Sequence, residues 1–272
     1  MLCLNQERRR FQHALVAQRS RAFTLIELIV TIGVIAVVLS ISLPALQTVI
    51  RRARMTMSLS NTRSLSQIVL ADPRVEREWP VFEPGKRYSP PFNPHSLVWW
   101  GRPDSYNSYW AAPVVWPDIF EYTKEDFGSV DVLVSPGFNT NDLPPYSVVS
   151  GHYVMTASAF GDPRLWDEQG STEAAAVPAM RRGIRLSEVA FPSQKALLWD
   201  RKLGWMRPGN VRYLGGDLDV KTPVAAFDGS SKLRVPADAT APVVCLDPVR
   251  LPKLDTPLRL HDTPGGVRGR DW

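Results

Sequence analysis

What this chain lacks narrows its function first. It holds no G-x-S-x-G elbow, no G-x-x-x-x-G-K-[ST] loop and no H-E-x-x-H pair, so sequence alone supplies no nucleophile elbow, phosphate cradle or zinc-binding helix. Histidine is scarce: beyond residue 22 only His95, His152 and His261 occur, each isolated, and solvated or structurally bonded imidazoles are the expectation. Cysteine is limited to Cys3 and Cys245. Excess charge is missing too. Arg8, Arg9, Arg10, Arg19 and Arg21 against Glu7 give residues 1–22 a net of +4, so of the formal +5 only +1 is left for residues 23–272. That balance excludes the basic footprint of a nucleic-acid binder.

What is present begins where charge stops. Residues 23–50 hold a single formal charge, Glu27, inside an apolar run that reaches Leu46. As a helix, the 21 residues 23–43 span roughly 31 Å, about the hydrocarbon thickness of a bilayer. An ionised group in such a segment costs on the order of 2.5 to 3.5 kcal/mol at its centre and marks function when it is retained. Cutting between Ala22 and Phe23 would make Glu27 the fifth residue of a new N-terminus, whose cationic amine could neutralise it. An ordinary signal peptide or permanent anchor also has a basic flank and an apolar core. Here, however, the core is long and ends Ser42-Leu43-Pro44-Ala45-Leu46, a poor match to a signal-peptidase site, and the expected cut precedes the run.

The sequence Ala22-Phe23-Thr24-Leu25-Ile26-Glu27 resembles the processing site of type IV pilins and type II secretion pseudopilins, with Ala22 where that family has glycine. The resemblance implies removal of residues 1–22 by a prepilin peptidase, methylation of the Phe23 amine, and pairing of Glu27 with a terminal amine during assembly with other subunits. It implies a structural subunit and not an enzyme, held by membrane lipid before assembly and needing no cofactor. Cys3 would leave with the leader, so the mature chain could form no internal disulfide. The leader arginines place the N-terminus in the cytoplasm by the positive-inside rule, although Arg51, Arg52 and Arg54 follow the span. The head would then lie on the exoplasmic, periplasmic side of a bacterial inner membrane, or be drawn into a filament.

Beyond the span, Ile50, Ala53, Met57, Leu65 and Ile68 recur at helical steps, predicting one long helix with Pro44 inside it and an end at Asp72-Pro73. Residues 74–122 are dense in proline and aromatics, among them Trp99, Trp100, Trp110, Tyr88, Tyr106 and Tyr109. These could stack on sugars, but a cover over the helix and sheet is the preferred reading. Short strands are expected at 130–134, 146–155, 195–199, 211–214, 224–227 and 232–235, with a hairpin turn at Asp228-Gly229. The fold class is therefore α+β, a pilin-like long N-terminal helix packed on an antiparallel sheet.

Four segments result: a basic leader at 1–22, a helix at 23–72 with its membrane part at 23–46, a head at 73–236 with its Pro/Trp-rich insertion at 74–122, and a proline-rich tail at 237–272. The tail either binds a partner or is a loosely packed terminus, the latter preferred for its prolines at 242, 248, 252, 257 and 264. Asp217 and Asp219 beside Gly215-Gly216 are weak calcium candidates, two donors where six to eight oxygens are needed. Short matches at 61–68, Ser135-Pro136, 186–193, Leu197-Leu198-Trp199-Asp200 and Phe227-Asp228-Gly229 are similar to a large pseudopilin-like family of planctomycetes. Leu218 and Ser135 stand where that family often has histidine and cysteine. A membrane-tethered glycan- or protein-binding module that never polymerises, and an anchored hydrolase built from dispersed residues, are the alternatives.

Overall fold

A computed structural model describes residues 23–81, 112–122, 124–127, 130–138, 152–167, 177–201, 203, 219–246 and 257–272. It divides into two compact units between Thr48 and Val49.

The first unit is helical, because an apolar stretch with no water to bond must satisfy its peptide groups within itself. Helix α1 (Leu25–Leu70) starts here, and every side chain from residue 23 to 54 is exposed. Three of its hydroxyls turn back on the backbone: Thr31 Oγ1 donates to the Glu27 carbonyl at 2.6 Å, Ser40 Oγ to the Val37 carbonyl at 2.7 Å and Thr48 Oγ1 to the Pro44 carbonyl at 3.1 Å. Such bonds hide the polar atoms in the helix itself. Pro44 lies inside α1, as expected, and removes one backbone donor there.

In the second unit α1 becomes one-sided. Ser58, Thr62, Leu65, Ser66 and Val69 are buried, a stripe at three-, four- and one-residue steps that faces the head core. The helix ends at Leu70, and Asp72 caps the short α2 (Pro73–Arg77) by accepting from the Arg74 N–H at 2.9 Å, with Pro73 in the first turn. The predicted boundary at Asp72-Pro73 is thus a hand-over between two helices. Helix α3 (Ala112–Ile119) supplies Trp116, whose Nε1 donates to the Tyr153 carbonyl at 3.0 Å.

Among the described residues one antiparallel sheet forms in the order β1 (Tyr153–Met155), β2 (Ala196–Asp200), β3 (Thr222–Ala226), β4 (Ser231–Arg234). Tyr153 pairs with Asp200 and Met155 with Leu198, while a register shift between Ala196 and Leu198 marks an irregularity facing β3. The β3–β4 turn follows the expected chemistry: Gly229 has φ +77°, and Asp228 Oδ1 accepts from the Ser230 N–H at 2.9 Å.

One face of the sheet meets α1 and the aromatics Trp79, Trp116, Phe120, Tyr122 and Phe127, all buried in the main core. Trp79 lies edge-on to Phe120 at 5.5 Å, and Phe120 stacks on Tyr122 at 5.3 Å. Trp79, Trp116, Phe120 and Tyr122 of the Pro/Trp-rich segment are therefore core; Trp99, Trp100, Trp110, Tyr88, Tyr106 and Tyr109 lie outside the described residues.

Two strand expectations change and a third is untested. Residues 130–134 form a 3-10 turn (Val130–Leu133), closed by Val134 N–H donating to the Asp131 carbonyl at 3.1 Å, because a short valine run takes whatever backbone its tertiary surroundings demand. Of the stretch 146–155 only Tyr153–Met155 is strand in the described part, and 211–214 lies outside it.

The tail also departs from expectation. Leu260 joins Val154, Ala196, Trp199, Val224 and Ala239 in a second cluster, and His261, Asp262, Thr263, Val267 and Asp271 are all buried. The segment has little regular structure, so it is held by specific bonds: Asp271 N–H donates to Gln194 O at 3.0 Å, Thr240 N–H to Asp271 O at 2.7 Å, and Trp166 Nε1 to Asp262 Oδ1 at 3.1 Å. Proline limits helix and strand, but it does not prevent packing.

Candidate functional site

The first candidate is the start of α1. Phe23 is the first described residue and is exposed; Ala22 lies outside the described residues. Thr24 and Glu27 grip each other. Glu27 Oε2 accepts from the Thr24 N–H and from Thr24 Oγ1, both at 2.9 Å, while Thr24 Oγ1 accepts from the Glu27 N–H at 3.2 Å. This is a capping box, in which two otherwise orphaned helix-start donors are satisfied reciprocally. The carboxylate also meets the positive end of the helix dipole. Glu27 therefore has a local partner within its own chain, and its tolerance among apolar residues does not rest on a terminal amine alone. The role of Thr24 was missed in the sequence, although the Thr-x-x-Glu spacing before an apolar run carries that signal.

The second candidate is a buried polar cluster around Asp200 at the end of β2. Asp200 Oδ2 accepts from Ser58 Oγ on α1 at 2.5 Å and from Ser135 Oγ at 2.7 Å, and Oδ1 accepts from the Leu203 N–H at 2.9 Å. Tyr153 donates to Ser58 Oγ at 3.2 Å, and Asn61 Nδ2 donates to Tyr153 at 3.3 Å. Burial, joined by the Asp200 charge, pushes the Tyr153 phenol up, so it stays a donor. His152 Nδ1 accepts from the Ser135 backbone N–H at 3.0 Å. The serine hydroxyl is thus aimed at the carboxylate, and Ser58, Ser135, Asp200 and His152 are at most 1 % exposed. Serine, histidine and aspartate meet here in an arrangement that ties α1, β1, β2 and the 135 turn together.

The other sequence candidates are dispersed. His261 Nδ1 accepts from the Ala157 N–H at 3.1 Å, so His152 and His261 are both structurally bonded; His95 lies outside the described residues. Asp219 is exposed and Asp217 lies outside the described residues. Among the described residues no group of three or more His, Cys, Asp or Glu is placed to hold a metal ion. Cys245 is buried and in no disulfide among the described residues.

Residues 17–43 match the model of the prokaryotic N-terminal methylation motif, which encloses Ala22, Phe23 and Glu27. No curated protein and no solved structure matches the chain. The chain carries the prepilin-type signal typical of type IV pilins and pseudopilins, on a pilin-like architecture of long apolar helix plus four-stranded antiparallel sheet. The motif suggests a structural subunit, and the helix is consistent with membrane anchoring.

Proposed function

We propose that this protein is a prepilin-like structural subunit, cut between Ala22 and Phe23, methylated on the new amine and assembled through its apolar helix into a type II secretion pseudopilus or a type IV pilus-like filament. The observation that carries the reading is the coincidence of the motif at 17–43 with a largely apolar stretch whose side chains from 23 to 50 are all exposed. An apolar surface of that length needs lipid or sister helices around it. Prepilin peptidase is the processing partner, other pilin-like subunits are the assembly partners, and the leader arginines favour a cytoplasmic N-terminus with the head on the exoplasmic side of the inner membrane.

In this mechanism Glu27 has two successive partners. Before assembly it caps its own helix through Thr24; in a filament it turns to the terminal amine of a neighbour, trading two hydrogen bonds for a charge pair in an apolar surround. The test is the mass of the mature N-terminus of membrane-extracted protein. A chain that begins with methylated Phe23 supports the reading. An intact Met1, or a cut near Ala45, overturns it, the former in favour of a tethered binding module.

A further inference from the structure

Lys195 is a buried lysine to which the proposed function gives no work. Its side chain is 0 % exposed and faces Asp271, 1 % exposed, with Nζ at 3.4 Å from each carboxylate oxygen. Thr263 Oγ1 lies 2.5 Å from Nζ and also donates to Asp271 Oδ1, so one hydroxyl joins amine and acid. The other oxygen, Oδ2, accepts from the Ala196 backbone N–H at 2.8 Å. Both backbones are pinned: Lys195 N–H donates to Phe191 O at 2.9 Å, Phe227 N–H to Lys195 O at 3.1 Å, and Asp271 N–H to Gln194 O at 3.0 Å. An amine and a carboxyl held together in a dry site gain effective concentration that no solution pair has.

We propose that Lys195 and Asp271 are a modification site, at which the chain forms an intramolecular amide bond between Lys195 Nζ and Asp271 Cγ with loss of water. Burial pushes the Lys195 ammonium down, against the pull of Asp271 and the more distant charge of Asp262, which favours the neutral, nucleophilic amine. A proton passes from Nζ through the Thr263 hydroxyl to Oδ1. The amine attacks Cγ, and negative charge gathers on Oδ2, where the Ala196 N–H receives it. A second Nζ proton follows the same relay, the Cγ–Oδ1 bond breaks, and Oδ1 leaves as water. One proton stays on the amide nitrogen, so the step needs no oxidant and no co-reactant. The bond would join residues 76 apart and fasten the C-terminal segment covalently to the residue that leads into β2.

Intact-mass measurement of the denatured full-length protein tests this, followed by tryptic mapping. The expected result is a mass one water below that of the sequence with its observed N-terminus, and a branched peptide in which residues 186–201, uncut after Lys195, are joined to the peptide that begins at Asp271. Lys195→Arg and Asp271→Ala should each restore the missing water. A wild-type mass with no water missing, with cleavage after Lys195 and an unmodified Asp271 peptide, overturns the proposal and leaves a plain buried ion pair. A missing water mapped to any other residue overturns it as well.

Discussion

Thr24 and Glu27 satisfy each other's backbone at the helix start, so each substitution there separates a local effect from an assembly effect. Thr24→Ala removes one cap and should loosen the first turn by about 1 kcal/mol, about a fivefold rise in local opening, read as faster amide exchange over residues 24–28 in detergent. Glu27→Ala should leave insertion intact and abolish filament recovery, read as the split between membrane-retained and sheared material. At Asp200 the effect is on the core. Asp200→Ala strands Ser58, Ser135 and the Leu203 N–H without their acceptor and should lower stability by on the order of 3 kcal/mol, visible in the denaturant midpoint. Asp162 gives the pH dependence. Burial works to raise its carboxyl, but hydrogen bonds from Arg164 and Arg182 outweigh that and hold it at about 2. Its folded value lies below the ordinary carboxylate range near 3.9, so its contribution is complete above about pH 4 and is lost as pH falls toward 2. Asp162→Asn should flatten that part of an acid-unfolding curve followed by circular dichroism.

At the scale of elements, α1 is the joint between an exposed apolar half and a head core. Leu65→Ala removes a side chain that is fully buried on its inward stripe and should cost about 2 to 5 kcal/mol, measured by chemical unfolding. Gly229, at φ +77°, holds the β3–β4 turn, and Gly229→Val should destabilise the hairpin by about 1 to 2 kcal/mol. Both elements were legible in the sequence, the helix from its apolar run and recurring steps, the hairpin from Asp-Gly between two apolar runs. β2 was legible for the same reason, being a compact apolar stretch ending in Asp200. Residues 130–134 were not, because three valines in a five-residue stretch specify no backbone until a neighbour pairs with them. The Asp200 cluster was legible only in fragments. Ser58, Ser135, His152 and Asp200 are up to 142 residues apart, and no spacing rule brings such distant side chains together.

At the scale of the molecule, the head closes over two cores, and the second depends on residues 257–272. The proline density that suggested a loose end says nothing about side chains: Leu260 packs in the second cluster, Asp262 accepts from the distant Trp166 indole, and Asp271 accepts from the distant Ala196 N–H. Removing residues 257–272 should therefore abolish cooperative thermal unfolding of the head. The hydroxyls of Thr31, Ser40 and Thr48 carry a different consequence. Each is spent on a carbonyl of its own helix, so at these three positions the anchor presents the same face to a lipid tail as to a leucine of a sister chain. In the proposed assembly, moving from bilayer to fibre would be, for these positions, a change of neighbours with little change of solvent quality. Direction in that assembly would then come from Glu27 at the start of the helix and not from these hydroxyls.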